Sequence, residues 1–147
     1  MQKLFASIVC FSLCAVMATA QGGKGKGGLK VEGSWTATSA IANGKKIPDD
    51  VIAKVMMVVT FKEGKYSLTS AGLEETGTYT IDAKKKPAQI DLVQTSKGKD
   101  KGKLQLGLIK IDGDVMTLVF SKAGSKDRPK DFEAGEAYEV TVLKRGK

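Results

Sequence analysis

The chain of 147 residues contains no histidine, and its two cysteines, Cys10 and Cys14, both lie near the amino terminus. Histidine is the usual general base at neutral pH and the commonest ligand of transition metals, and cysteine supplies the thiol nucleophile. Beyond residue 14 the sequence offers none of these groups. We therefore expect no catalytic residue, no metal site and no cofactor, and a protein that is not an enzyme.

Long apolar runs are also scarce. The single one extends from Leu4 to Met17, between Lys3 and the small residues Ala18-Thr19-Ala20. A positive start, an apolar centre and a small-residue site are typical of a cleaved secretory signal peptide. The run is shorter than the roughly 20 residues that a membrane-spanning helix needs. We predict a signal peptide over residues 1–20, a secreted or periplasmic product without a transmembrane segment, and no disulfide, because both cysteines are removed.

Two further segments are predicted after the signal peptide. Residues 21–30 are glycine and lysine with one glutamine and one leucine, and they cannot bury enough apolar area to offset the entropy of ordering them. We expect a flexible leader there, followed by one domain over residues 31–147. No apolar pattern is long enough for the crossover helix between parallel strands, which excludes a doubly wound α/β fold.

From Val31 onward, short alternating apolar runs are separated by turn residues about every ten positions, which indicates antiparallel strands. We predict eight of them, over residues 31–41, 56–62, 65–70, 76–82, 88–94, 104–111, 115–121 and 137–145. One short helix after the first strand is predicted over Pro48 to Val55, with two acidic residues in its first turn. Closure removes sheet edges and so favours a barrel, although periodicity alone leaves a sandwich open.

Two local features qualify this pattern. In the run over residues 104–111 the apolar phase changes around Gly107, which predicts a β-bulge. Glu74 and Glu75 lie between Gly72 and Gly77, and we interpret them as solvated charges of a turn.

The first and last predicted strands carry a resemblance. Gly33-Ser34-Trp35 and Lys144-Arg145 resemble the lipocalin and calycin signature, in which a cation lies across the indole and closes one end of a barrel. From Val31 to Arg145 the chain also resembles an uncharacterised bacterial family of lipocalin-like domains, abundant in planctomycetes. The matching segments are EGSWTATSAIANGKKIPDD, GTYTIDAKKKPAQIDL, GLIKIDGDVMTLVF, Arg128-Pro129 to Phe132, and VLKR.

The resemblance implies an all-β, eight-stranded antiparallel lipocalin-like barrel, with Gly33, Trp35 and Arg145 as its barrel-closing residues. The chain departs from the family at Ile109 and Val119, where a tyrosine and a cysteine are usual. Any role that rests on a thiol is therefore in doubt.

Small eight-stranded barrels are filled by their own side chains or hold one small ligand. Our first hypothesis is an exported binding module for a small apolar or amphipathic ligand, with the predicted helix as a partial lid. Strand phase predicts the candidate ligand-binding residues of the lumen: Met57, Val59, Tyr66, Tyr79, Leu106, Met116 and Tyr138.

The second hypothesis rests on charge. The net charge is +8, and lysines cluster in residues 84–86, 97–103 and 122–130. Arginine is rare and no aromatic residue lies inside a cluster to stack on a base, so we expect no nucleic-acid partner. The alternative is an envelope-associated protein with a filled barrel, which binds an anionic envelope polymer through these loops. Under either hypothesis we expect a monomer.

Overall fold

The computed structural model describes residues 28–147, so the predicted signal peptide and most of the predicted leader lie outside the described residues. The elements, in chain order, are β1 Gly33–Ala42, β2 Lys45–Lys46, α1 Asp49–Val55, β3 Val58–Lys62, β4 Lys65–Ser70, β5 Leu73–Asp82, β6 Ala88–Gln94, β7 Leu104–Asp112, β8 Val115–Ser121 and β9 Tyr138–Arg145. The described part of the chain is therefore all-β apart from one short helix, as predicted.

The long strands form one antiparallel sheet that closes on itself. Each strand from β3 to β9 pairs with the next one along the chain, and β1 pairs with both β3 and β9. Eight strands thus make a closed barrel without free edges, which confirms the predicted fold class. The two-residue strand β2 was not predicted; it extends β1 through the turn Asn43–Gly44.

Three tight turns set the register of neighbouring strands. Asn43–Gly44, Glu63–Gly64 and Ala71–Gly72 each place both central residues at positive φ, as a type I′ hairpin turn requires. Glycine and asparagine adopt this conformation at little cost, whereas Glu63 at φ 49° and Ala71 at φ 50° have neither advantage. In the barrel, alternate side chains of each strand then face the interior.

One end of the barrel, where β1 begins and β9 ends, is closed; we call it the closed end. The Arg145 guanidinium lies 4.1 Å from the centre of the Trp35 ring, and Trp35 has no exposed surface. The Trp35 indole N–H donates to the Val31 carbonyl at 2.7 Å. Gly33 has φ 114°, and a Cβ there would lie 3.3 Å from Arg145 Nη1, so a glycine leaves room for the guanidinium.

The opposite end, where β3 begins and β4 ends, is the open end, and α1 lies there. The helix begins after Pro48, carries two acidic residues in its first turn and ends at Met56 in the left-handed conformation. Ile52 is buried in the barrel core. The Ala71 amide donates to the Val55 carbonyl at 2.7 Å, which fastens the helix to the turn between β4 and β5.

Strand β7 differs from its predicted phase. It pairs with β6 and β8 without a register shift, so no bulge lies at Gly107. The shift is in β1, between Ala37 and Ser39. Gly107 occupies an interior position without a side chain because the Phe120 ring covers it. Leu106 consequently faces outward.

Strand β9 also has the opposite phase to the predicted one. Tyr138 packs on the outer face of the barrel, in a cluster with Leu108, Val119, Val140 and Phe132. The loop over residues 122–137 crosses this face, and Arg128 holds it by an ion pair with Asp91 at 2.6 Å and a hydrogen bond to the Gly107 carbonyl at 2.7 Å. An outer face covered by a loop is apolar, and in sequence it cannot be distinguished from an interior one.

Candidate functional site: a cavity at the open end of the barrel

The interior of the barrel is filled in its closed half and hollow in its open half. Trp35, Ile90, Ile109 and Met116 fill the closed half and are at most 2% exposed. Above them lies a cavity of about 470 Å³, within the range of small-molecule sites. The apolar part of its lining consists mainly of Met57, Val59, Phe61, Leu118, Phe120 and Leu143.

The structure brings three of the seven predicted lumen residues together. Met57, Val59 and Tyr66 line the cavity. Tyr79 also points inward, but its ring packs edge-on against Phe61, with centroids 5.0 Å apart and planes at 82°.

The other three predicted lumen residues lie away from the cavity. Met116 belongs to the filled half and has no exposed surface. Leu106 and Tyr138 are on the outer face, for the reasons of strand phase given above.

A row of polar side chains crosses one wall of the cavity on three adjacent strands. Glu75 on β5, Gln94 on β6 and Gln105 on β7 all line it. Gly77 is paired with Gln94 and Leu92 with Gln105, so each member of the row is the diagonal neighbour of the next. Diagonal neighbours on one face are roughly 7–8 Å apart, which lets a single small head group reach more than one of them. We call Glu75, Gln94 and Gln105 the polar row.

Tyr66 positions the first member of this row. Its hydroxyl donates to Glu75 Oε1 at 2.7 Å, and the residue is 4% exposed. Burial, together with the Glu75 carboxylate, raises the pKa of the Tyr66 phenol well above its ordinary value, so it remains a donor. Gly77 is paired with Tyr66, and a Cβ at Gly77 would overlap the tyrosine ring. The glycine therefore allows the ring to lie flat against β5.

The turn predicted for Glu74 and Glu75 is wrong, because both residues belong to β5. The turn that precedes the strand is Ala71–Gly72. Glu74 is on the outer face, where it accepts from the Ser67 hydroxyl at 3.5 Å, and Glu75 is on the inner face. Adjacent carboxylates thus have opposite environments.

The two glutamines of the polar row use their amide nitrogens on the protein. Gln94 Nε2 donates to Ser96 Oγ at 3.2 Å, and Gln105 Nε2 donates to the Ser121 carbonyl at 2.9 Å. Within residues 28–147 neither side-chain carbonyl accepts a hydrogen bond. These oxygens and the Glu75 carboxylate are accordingly the acceptors that the wall offers to an occupant.

Charged groups of both signs surround the mouth of the cavity. Lys99, Lys103 and Lys122 lie at its rim, and Lys103 pairs with Asp100 at 3.0 Å. Glu139 lines the mouth from β9, on the far side of the barrel from β5. In the described part of the chain, no lysine or arginine forms an ion pair with Glu75 or Glu139.

Sequence reasoning missed the polar row and Glu139. Apolar character predicts interior positions, and these four residues are polar. The signal that could have found Glu75 is strand phase: counting back from Tyr79 through Gly77 places Glu75 on the same face as the inward tyrosine. The same count from Leu92 finds Gln94.

Within residues 28–147, no three histidine, cysteine or acidic side chains converge as a group that could hold a metal ion. In the same part of the chain, no helix has the length and apolar character to cross a membrane. In comparisons with known proteins, the chain matches no family model and no curated protein sequence.

Proposed function

We propose that the chain is an exported lipocalin-like binding module that holds a small amphipathic ligand in the cavity at the open end of the barrel. The observation that carries the proposal is the cavity itself: about 470 Å³ with an apolar floor, a polar wall and a mouth at one end. Such a site buries an apolar tail in its floor and leaves a polar head near the mouth. Burial of the tail supplies the affinity, and the polar wall supplies the selectivity.

The proposal includes no catalytic step, cofactor or metal. It is supported by a chain without histidine and by the sequence pattern of a signal peptide over residues 1–20. We further propose that the exported protein is a monomer and belongs to the bacterial lipocalin-like family that it resembles. N-terminal sequencing of protein recovered from outside the cytoplasm tests the export: we expect Gln21 or a near neighbour as the first residue, and material that begins at Met1 would contradict it.

The binding itself is tested by titration with the apolar dye Nile red. We expect the purified chain to bind the dye, and we expect Thr141→Phe to reduce that binding, because Thr141 lines the cavity and a phenyl ring would fill part of it. Thr117→Phe is the matched control. Thr117 lies between the inward residues Met116 and Leu118 on β8, so the same change projects from the outer face.

The same titration separates this proposal from the alternative, an interaction protein that acts through lysine-rich loops. The exposed lysines of the cluster over residues 84–86 lie in the turn between β5 and β6 at the closed end, away from the cavity. Apolar burial is insensitive to salt, whereas attraction between exposed charges is screened over about 8 Å at physiological ionic strength. If 0.5 M salt (roughly three times physiological strength) or the change of Lys84, Lys85 and Lys86 to glutamine abolishes the only binding detected, the cavity proposal is wrong.

A further inference from the structure

We infer that the ligand of the cavity is an amphiphile with a cationic, hydrogen-bond-donating head, such as a primary ammonium, and that the polar row binds this head. The inference rests on the proposed function and names the chemical class of its ligand. It is carried by the inward carboxylate of Glu75 and the acceptor character of its neighbours.

Glu75 places a negative charge on the wall of a partly apolar cavity. Tyr66 donates one hydrogen bond to Oε1, and within residues 28–147 no basic side chain lies within ion-pairing distance. Glu75 is only partly buried, so its remaining lone pairs are accessible to solvent through the mouth. When an apolar tail fills the cavity, this solvent is displaced, and a carboxylate that loses its solvation without a partner is costly.

The head group of the ligand decides whether that cost is offset. An ammonium brings both opposite charge and several N–H donors, so it can pair with Glu75 and also donate to the side-chain carbonyl of its diagonal neighbour Gln94. A hydroxyl brings one donor and no charge. A carboxylate brings a like charge and no donor, so it makes the burial of Glu75 worse.

The lysines at the rim do not reverse this order. Lys103 is paired with Asp100, and Glu139 adds a second carboxylate to the mouth, across the barrel from Glu75. Lys99 and Lys122 lie in the loop segments outside the strands, where water screens their charge. The charge nearest to a head group at the polar row is therefore that of Glu75.

The experiment compares three ligands that share one tail: octylamine, octanol and octanoate, each titrated calorimetrically into the purified chain. A charge-assisted hydrogen bond is worth enough for octylamine to bind about tenfold or more tightly than octanol. We expect octanoate to be the weakest.

Two glutamate variants assign the preference to one side chain. Glu75→Gln keeps an oxygen for the Tyr66 hydroxyl but removes the charge, so we expect the preference for octylamine over octanol to disappear while octanol binds at least as well as before. Glu74→Gln removes the same charge one residue away on the outer face and should leave the preference intact. Trp35 fluorescence checks that both variants are folded.

Each other outcome overturns a different statement. Equal affinity for octylamine and octanol contradicts the cationic head. An unchanged preference in Glu75→Gln contradicts the binding of that head by Glu75. Tightest binding of octanoate, lost when Lys99 and Lys122 are changed to glutamine, assigns the head group to the rim lysines and also contradicts the cationic head. If none of the three compounds binds and Nile red is not bound either, the proposed function itself fails.

Discussion

Replacing Arg145 with methionine removes the charged group from the closed end while keeping an unbranched apolar stem over Trp35. The guanidinium makes three contacts there: the stack on the indole, a hydrogen bond to the Glu32 carbonyl at 3.0 Å and one to the Lys30 carbonyl at 2.7 Å. A fourth partner, Asp114, is 3.7 Å away and 83% exposed, so we assign it no contribution.

The expected loss follows from these contacts. A cation on an aromatic face contributes about 0.5–2 kcal/mol, and hydrogen bonds at a partly exposed site contribute about 1 kcal/mol each. Because the methionine stem retains the packing of the aliphatic part, we expect Arg145→Met to lower the free energy of unfolding by about 2–4 kcal/mol. This is a large fraction of the stability of a small domain.

The assay is equilibrium unfolding in urea, followed by the fluorescence of Trp35, the only tryptophan of the chain. Arg145→Lys keeps the charge but loses the fork of donors, so we expect an intermediate loss. Lys144→Met is the matched control, because the Lys144 side chain is exposed and, one residue before Arg145 on the same strand, points to the opposite face from Trp35. An Arg145→Met protein within about 0.5 kcal/mol of the parent, or a Lys144→Met protein that loses as much, would refute the assignment of these energies.

Three further changes test other parts of the barrel. Because folding raises the pKa of Tyr66, the unfolded chain releases this proton first as the pH rises, so the stability that this group contributes is present below pH 10 and decreases above it. We expect the free energy of unfolding of Tyr66→Phe to decrease less steeply with pH than that of the parent between pH 10 and 11.5, and an equal slope would count against this. Gly107→Ala would press a methyl group against the Phe120 ring and the Val119 carbonyl, so we expect a loss of about 1–3 kcal/mol in urea unfolding. Ala71→Asn replaces an alanine held at positive φ with a residue that adopts this conformation more readily in a type I′ turn, so we expect calorimetry to show a free energy of unfolding higher by about 0.5–1 kcal/mol.

The barrel could be predicted from the sequence because its strands are short, regular and separated by recognisable turns. The pair Glu63-Gly64 marks a hairpin directly, and Asn43-Gly44 marks the end of the first strand, although not the short strand β2 that follows it. Ala71-Gly72 carries a weaker signal because Glu74 and Glu75, which follow it, are uncommon in strands, so the predicted strand begins three residues late, at Thr76 rather than Leu73. As a result, the sequence predicts Glu74 and Glu75 in a turn, although both belong to β5.

The site could be predicted only in its apolar part. Met57, Val59 and Tyr66 fit the expected alternation, but Leu106 and Tyr138 are apolar for a different reason: the loop held by Arg128 covers their side of the barrel. A pattern of apolar residues reports burial and does not report which face is buried. The polar row needs the opposite inference, from a polar residue to an interior position, and only the register of neighbouring strands supplies it.

The pairing of β1 with β9 has a consequence for how the chain reaches its folded state. Every other pairing in the barrel joins strands that are close in sequence, β1 and β3 being separated only by β2 and α1, whereas Arg145 and Glu32 are 113 positions apart. Local hairpins can form as soon as their two strands exist. The β1–β9 pairing needs the final strand, and forming it costs the loop-closure entropy of nearly the whole domain. A chain that stops before Tyr138 leaves β1 and β8 as unpaired edges, which invites aggregation. Conversely, both ends of the domain meet at the closed end, so a circular permutant that joins them and opens the loop between β6 and β7 would make β1 and β9 a local pair and would transfer the distant closure to β6 and β7.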